Sequence, residues 1–202
     1  MTADFCGNWS DGQSIYSIEN IKDTYTCSFS EKNIGIIVDN YLLVSQFSSC
    51  AIKGGVGVYA PIGDRKSYYA LWASLGSRNE LGSGIIIKRD KSNIFPGEYN
   101  VRYFIREHET PVYKVDIDYT ANINIYTGTW SIDGDIIHHG IFLAFDGKYA
   151  VAYCDPDDTV DIRILSIIHN EKGNEVLRSR YVKWNSTDIC EQRFSNVLNQ
   201  IT

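Results

Sequence analysis

Aromatic side chains are the residues of this chain with the clearest capacity for ligand chemistry. The 202 residues include 14 Tyr, 8 Phe and 4 Trp, together 13% of the chain. Aromatic rings line pockets for small apolar molecules, and a Tyr hydroxyl or Trp N–H can orient the ligand. The same rings also fill the core of any β protein, so simple packing is the competing explanation. The candidate ligand-binding residues of this type are Trp9, Trp72, Tyr126, Trp130, Tyr149, Tyr153 and Trp184.

Two adjacent histidines are the candidates for proton transfer. On a strand, His138 and His139 face opposite ways, so they cannot bind one metal ion together unless the backbone bulges there. The apolar side suggested by Ile137, Ile141 and Leu143 favours His139 as the interior proton donor or acceptor. A hydrogen-bonded core histidine is the alternative.

Metal and cofactor motifs are weak. The acidic run Asp155, Asp157, Asp158 and Asp161 lacks the spacing of a calcium loop, and DPDD is typical of a turn. The glycine-rich stretch GGVGVYAPIG lacks the Lys-Ser/Thr ending of a phosphate loop. We therefore predict no metal and no cofactor, and no catalytic residue can be assigned.

Charge and cysteine content restrict partners and compartment. The net charge is −6, and the whole surplus belongs to residues 96–202, which hold 10 basic and 16 acidic side chains. An acidic chain with a pI near 5.2 has no general attraction for nucleic acid or anionic membranes. No apolar run has the length of a membrane span, and the N-terminus does not resemble a signal peptide. Five scattered cysteines without a CxxC pair favour reduced thiols, and hence a cytoplasmic protein.

The elements that position these residues are strands. Apolar residues recur with period two, as in YTGTWSID from Tyr126, and turn signals recur about every ten residues. This pattern predicts an all-β fold, an antiparallel up-and-down meander closed into a barrel.

The chain also repeats itself. YTCSFS from Tyr25 is echoed by YTGTWS from Tyr126, IGIIV by HGIFLAF, and YYALWAS by SRYVKWNS. Such self-similarity predicts a duplication, although any two meanders share alternation and turns. We predict a first repeat over 6–93, a second over 96–193 and a C-terminal tail over 194–202. The charged stretch IKRDKSNIFPGEY favours the boundary, but tandem barrels and one larger barrel or sandwich built from both halves fit equally well.

The order of these strands resembles small bacterial avidin-like or lipocalin-like β-barrel proteins. The resemblance is carried by GEYNVRY at 97–103, YTGTWSI at 126–132, HGIFLAF at 139–145 and YAVAY at 149–153. The opening CGNW also resembles the G-x-W that begins lipocalin barrels. The resemblance implies a barrel that holds a small ligand in its mouth, with Trp9 at its floor, and it carries over no catalytic residue.

Three functions remain open from the sequence. The first is a barrel that binds a small apolar or aromatic molecule. The second is a cofactor-free cyclase or isomerase that uses interior Tyr, His or Asp groups. The third is a protein interaction module, in which a homo-oligomer is possible.

Overall fold

A computed structural model describes residues 3–63, 66–77, 80–106 and 108–197, and it is built almost wholly of strands. No helix in these ranges has the length and apolar character that crossing a membrane would need. The strands in chain order are β1 (Gly7–Ser10), β2 (Ile15–Ile21), β3 (Thr24–Cys27), β4 (Asn33–Val38), β5 (Tyr41–Phe47), β6 (Gly54–Ile62), β7 (Ser67–Ser74), β8 (Gly82–Lys88), β9 (Gly97–Ile105), β10 (His108–Glu109), β11 (Tyr113–Tyr119), β12 (Ile125–Ile132), β13 (Asp135–Phe145), β14 (Lys148–Cys154), β15 (Val160–His169), β16 (Glu175–Val182) and β17 (Cys190–Asn196).

The strands form two closed eight-stranded antiparallel barrels, which confirms the predicted fold class. The first barrel has the order β1-β17-β16-β15-β5-β4-β3-β2, closed by pairing of β2 with β1. The second has the order β9-β11-β12-β13-β14-β6-β7-β8, closed by pairing of β8 with β9. The two-residue strand β10 extends β9 outside this ring. Closure leaves neither sheet with a long unpaired edge.

The two barrels exchange strands between the halves of the chain. The first half supplies β1–β5 to the first barrel and β6–β8 to the second, and the second half supplies its early strands to the second barrel and β15–β17 to the first. The echoed segments occupy equivalent places, since β3, β4 and β5 correspond to β12, β13 and β14, and β7 corresponds to β16. The predicted ranges 6–93 and 96–193 therefore contain matching sets of strands, yet neither range forms a barrel by itself.

The predicted tail also needs correction. Residues 194–196 belong to β17, where Phe194 is buried in the first barrel. These residues are not a free tail, because β17 pairs with both β16 and β1. Residues 198–202 lie outside the described part of the chain.

Three apolar cores hold this arrangement together. One lies inside each barrel, and the third lies between them, where the outward faces of β4, β5 and β15 meet those of β6, β7, β13 and β14. Several strands are consequently buried on both faces, as when two sheets pack face to face. The shared core includes Leu43, Ile141 and Ile162, all almost fully buried.

An equivalent aromatic segment, which we call the plug, closes one end of each barrel. Phe95 is buried at the floor of the second barrel, where its ring stacks on Tyr149 with centroids 3.4 Å apart. Tyr99 donates its hydroxyl hydrogen bond to the Phe95 carbonyl, and Trp9 donates its indole N–H to the Phe5 carbonyl at 3.1 Å in the first barrel. FCGNW and FPGEY are thus equivalent, and the charged stretch at 87–99 is a plug within the second barrel rather than a linker between domains.

Candidate ligand-binding site

A cavity of about 280 Å³ lies in the second barrel, at the end opposite the Phe95 plug. It reaches solvent beside Ile52, whose side chain is 80% exposed. Segments 48–53 and 155–159, which carry the chain between the barrels, lie at this same end. The wall is mainly aromatic and consists of Tyr59, Trp72, Tyr103, Tyr113, Trp130 and Tyr153.

Glycines on the inward faces of the strands provide the room for the aromatic rings inside the second barrel. A Cβ atom added to Gly84 would lie 2.7 Å from Cδ1 of Tyr103, and one added to Gly128 would lie 2.6 Å from Cε2 of Phe142. On β6, Gly57 lines the cavity where a larger side chain would fill it. Glycine in a strand often marks such close approach. The glycine-rich stretch therefore has a structural explanation that needs no phosphate.

Three polar groups make a hydrogen-bonded spot in this apolar wall. The Trp130 indole N–H donates to the Tyr103 hydroxyl at 3.0 Å, and the Tyr103 and Tyr59 hydroxyls lie 2.6 Å apart. Burial raises the pKa of Tyr103 to about 12 and that of Tyr59 well above its ordinary value, so both remain neutral near pH 7. Whichever hydroxyl donates to the other, one hydroxyl proton is left to be donated to a ligand acceptor.

His138, rather than His139, is the histidine of the cavity. It lies directly across from Trp130 in the β12–β13 pairing, just before a register shift between Trp130 and Ser131. Its ring centroid is 5.3 Å from that of Tyr153. The interpretation that favoured His139 was wrong because Ile141 and its neighbours face the core between the barrels, so β13 is apolar on both sides.

Two charged groups lie near His138. Its Nδ1 lies 3.5 Å from Oδ1 of Asp155, and Lys53 lies on the cavity rim nearby. Burial lowers the pKa of His138 below its ordinary value of 6.5, an effect that Lys53 reinforces and Asp155 opposes. The imidazole is therefore mainly neutral near pH 7, with one ring nitrogen able to accept a hydrogen bond.

Replacement of His138 by Gln is expected to reduce the loss of stability in mild acid. Because the unfolded chain takes up a proton at His138 more readily than the folded one, the free energy of unfolding falls as the pH drops through 6.5. Urea unfolding between about pH 7.5 and pH 5 should therefore show a smaller decline for His138→Gln than for the wild type. Parallel pH curves for the two proteins would contradict the burial of a neutral imidazole.

The predicted aromatic residues divide between the two ends of the second barrel. Trp72, Trp130 and Tyr153 line the cavity. Tyr126 and Tyr149 lie inside the same barrel but pack around the Phe95 plug, with ring centroids 5.2 Å and 3.4 Å from that of Phe95. They hold the floor and do not line the cavity.

The remaining predicted residues lie outside this barrel's interior. Trp9 is buried inside the first barrel, 1% exposed, at the floor that the resemblance implied. His139 and Trp184 stack on each other with centroids 4.3 Å apart, beside the core between the barrels. The His139 Nε2 atom is also 2.9 Å from the Asp158 carbonyl oxygen. These contacts position the segment that connects the barrels.

Two residues of the acidic run, Asp158 and Asp161, also make hydrogen bonds that hold the connection between the barrels. One carboxylate oxygen of Asp158 accepts hydrogen bonds from Ser48 Oγ at 3.2 Å and Cys50 Sγ at 3.4 Å, joining the two crossing segments. Asp161 accepts from the Trp184 backbone N–H at 2.8 Å. Within the described ranges, no three His, Cys, Asp or Glu side chains come together as they would around a metal ion.

Sequence reasoning missed half of the aromatic wall. Tyr59, Tyr103 and Tyr113 were not selected, although Tyr99, Val101 and Tyr103 alternate on β9 as inward-facing residues should. Gly57 and Tyr59 alternate on β6 in the same way. The period-two pattern thus held this signal on β9, whose alternate residues Glu98, Asn100 and Arg102 are exposed. On β6, which is buried on both faces over most of its length, the pattern could not tell inward from outward.

Comparison with known proteins found no matching family model, no matching curated protein and no matching solved structure. The structure confirms the closed eight-stranded barrels that the resemblance implied, whereas the avidin-like or lipocalin-like identity stays a prediction.

Proposed function

We propose that the protein binds a small aromatic or apolar molecule in the cavity of the second barrel. The supporting observation is a cavity of about 280 Å³ with six aromatic wall residues, inside a closed barrel and open at one end. A cavity of about 150 Å³ can accept benzene, so this one has room for a molecule of about two fused rings. Apolar pockets with a few polar groups are typical of small-molecule sites.

The polar groups narrow the chemistry of the ligand. Its flat body would lie among Trp72, Trp130 and Tyr153, and an acceptor atom would receive the spare proton of the Tyr59–Tyr103 pair. Aromatic rings prefer such stacked or edge-to-face surroundings. We therefore propose a neutral aromatic ligand that carries a carbonyl, ether or hydroxyl oxygen.

Native mass spectrometry of the protein purified from its own source is the direct test. A bound small molecule, released by denaturation and weighed, would identify the ligand. A mass equal to that of the chain alone, together with no binding of one- and two-ring aromatic phenols and ketones, would contradict the proposal.

Filling the cavity is expected to weaken ligand binding strongly. Val151 lines the cavity from β14 and is 2% exposed, so Val151→Phe would place a ring where the ligand lies. We expect this change to weaken the binding of 2-naphthol, followed by quenching of tryptophan fluorescence, roughly tenfold or more. The control is Ile15→Phe, which adds a ring on the exposed outside of the first barrel. Equal affinity of the two variants, with Val151→Phe still folded, would place the ligand elsewhere.

A cofactor-free isomerase or cyclase is the second candidate. The observation that favours it is His138, a largely neutral imidazole whose ring lies beside Tyr153 at the cavity wall. A base and a hydroxyl on one wall are the groups that proton transfer needs. Conversion of the co-purified molecule, or of a close precursor, would distinguish catalysis from binding, and His138→Gln should then lower the rate without abolishing binding.

A cytoplasmic location belongs to the same proposal. All five cysteines are free in the structure, and two of them, Cys27 and Cys154, are buried. Reduced thiols are the normal state in the cytosol, whereas secreted proteins usually pair their cysteines.

A further inference from the structure

We propose that the first barrel contains a separate binding site for a small organic carboxylate, held by the guanidinium group of Arg163. This site is distinct from the aromatic cavity of the second barrel, and it does not depend on the function proposed for that cavity.

Arg163 is a charged residue inside a barrel. It lies on β15 between Ile162 and Ile164, which face the core between the barrels, so its own side chain points into the first barrel. The residue is only 7% exposed. Its guanidinium carbon lies 4.6 Å from the ring centroid of Phe29 and 4.4 Å from that of Tyr181, which fixes the group between two aromatic rings.

The hydrogen-bond partners of Arg163 are all neutral. Nη1 donates to Ser179 Oγ at 2.7 Å and to Gln192 Oε1 at 2.9 Å, and Nε donates to Gln46 Oε1 at 3.3 Å. Within the described ranges, Nη2 has no hydrogen-bond partner, and no carboxylate oxygen lies within 4 Å of the guanidinium. A buried charge that no carboxylate contacts is costly, and a bound anion would offset part of that cost.

A cavity adjoins this unpaired group. Its volume is about 360 Å³, and Arg163 forms part of its wall together with Gln46, Lys183 and the two rings that hold the guanidinium. Lys183, exposed on the rim, adds a second positive charge. Asp161 also lines the cavity as an opposite charge, but no ion pair joins its carboxylate to the guanidinium, and one of its oxygens accepts the Trp184 N–H. The described walls therefore carry two positive charges and one negative charge.

The chemical class of the ligand follows from these walls. An arginine N–H fork favours the planar oxygens of a carboxylate, with shorter and stronger hydrogen bonds than a neutral acceptor makes. Phe29, Phe47 and Tyr181 supply apolar surface beside the charge, so the anion would carry a small apolar or aromatic body. On the equivalent strand β6 of the second barrel, Gly57 stands between Val56 and Val58 as Arg163 stands between its two isoleucines. The two pseudo-repeats thus differ at the position that determines ligand charge.

Isothermal titration calorimetry with benzoate and acetate on the full-length protein tests this site. We expect benzoate to bind, acetate to bind more weakly, and Arg163→Gln to weaken benzoate binding at least about tenfold. Lys183→Gln, at the exposed rim, should weaken it by roughly threefold. The matched control is Arg193→Gln, which removes the same charge from the exposed outside of the same barrel and should leave the affinity unchanged.

Other outcomes would overturn the proposal. The first is that the wild type binds neither carboxylate. The second is that a folded Arg163→Gln protein binds benzoate with the affinity of the wild type. If Arg163→Gln does not fold, the same result in Lys183→Gln would overturn the proposal. If Val151→Phe loses benzoate binding while Arg163→Gln and Lys183→Gln keep it, the anion lies in the second barrel. If Val151→Phe still binds benzoate, the result supports the first-barrel site. This holds even if no aromatic ligand binds in the cavity of the second barrel.

Discussion

Cutting the chain between residues 92 and 93 is expected to give two fragments that do not fold separately but form one complex when mixed. The cut falls in the connection between β8 and β9, beside the exposed Asn93, and removes no residue. Residues 1–92 then contain β1–β8, and residues 93–202 contain β9–β17.

The reason is the exchange of strands. In fragment 1–92, β5 lacks β15, β1 lacks β17, and β6 and β8 lack their partners β14 and β9. Each fragment also exposes its part of the core between the barrels, where Leu43 and Val56 of one fragment meet Ile141 and Ile162 of the other. Apolar burial contributes about 25 cal/mol per Å², so neither fragment retains enough buried surface to offset the entropy of ordering its strands.

Circular dichroism and size-exclusion chromatography with light scattering would measure this outcome. The fragments alone should lack the near-ultraviolet signal of packed tyrosine and tryptophan, and the 1:1 mixture should recover it at the mass of the intact chain. A fragment that is monomeric and folded by itself would show that β5 can pair with β6 of its own repeat, and the exchange would then not be required for folding.

The sequence predicted the strands and the repeats better than the way they combine. Period-two alternation and regular turns identified the all-β class because each strand has an inward and an outward side. They did not identify partners, since the same alternation fits pairing within a repeat and between repeats. The exchange depends on the short connections at 48–53 and 155–159, and nothing in their composition distinguishes a crossing from an ordinary hairpin.

The candidate site was predicted in part for a related reason. Trp72, Trp130 and Tyr153 were selected as aromatic residues on strands, and all three line the cavity. Tyr126 was selected on the same grounds but belongs to the floor, because alternation gives the face of a residue and not its height along the barrel. Arg163 was not selected, because a charged residue between Ile162 and Ile164 fits the ordinary alternation of a strand with one solvent-facing side. In the structure the two isoleucines face the core between the barrels, so the arginine faces inward.

The equivalence of the two plug segments, FCGNW and FPGEY, is a sign of the duplication that the sequence analysis did not use. Phe5 and Phe95 each stand four residues before an aromatic residue, with a glycine between, and the backbone φ angles of Gly7 and Gly97 are 135° and 137°. A side chain at such φ values is strained, and a Cβ on Gly97 would lie 2.6 Å from Oδ2 of Asp90. The FxGx-aromatic pattern therefore marks the first strand of each repeat.

Replacement of Phe95 by Ala is expected to lower the free energy of unfolding by about 3–5 kcal/mol. Phe95 is 4% exposed, and its ring contacts those of Tyr68, Tyr126, Phe142 and Tyr149. Removal of the ring leaves a cavity enclosed by other aromatic rings, which cannot collapse into it because they belong to different strands.

The backbone around the plug should hold the cavity open and make the loss large. The buried Lys88 ammonium donates to the carbonyls of Ile94 and Pro96, and Tyr99 donates to that of Phe95, so the plug segment is tied on both sides of the deleted ring. Urea unfolding measures the change, with Ile94→Ala as the control because Ile94 is exposed. Phe95→Leu should lose less than Phe95→Ala, since it fills part of the space. A loss below about 1 kcal/mol for Phe95→Ala would mean that the floor closes without the ring, and that the hydrogen bonds of Lys88 and Tyr99, rather than the aromatic plug, seal this end of the barrel.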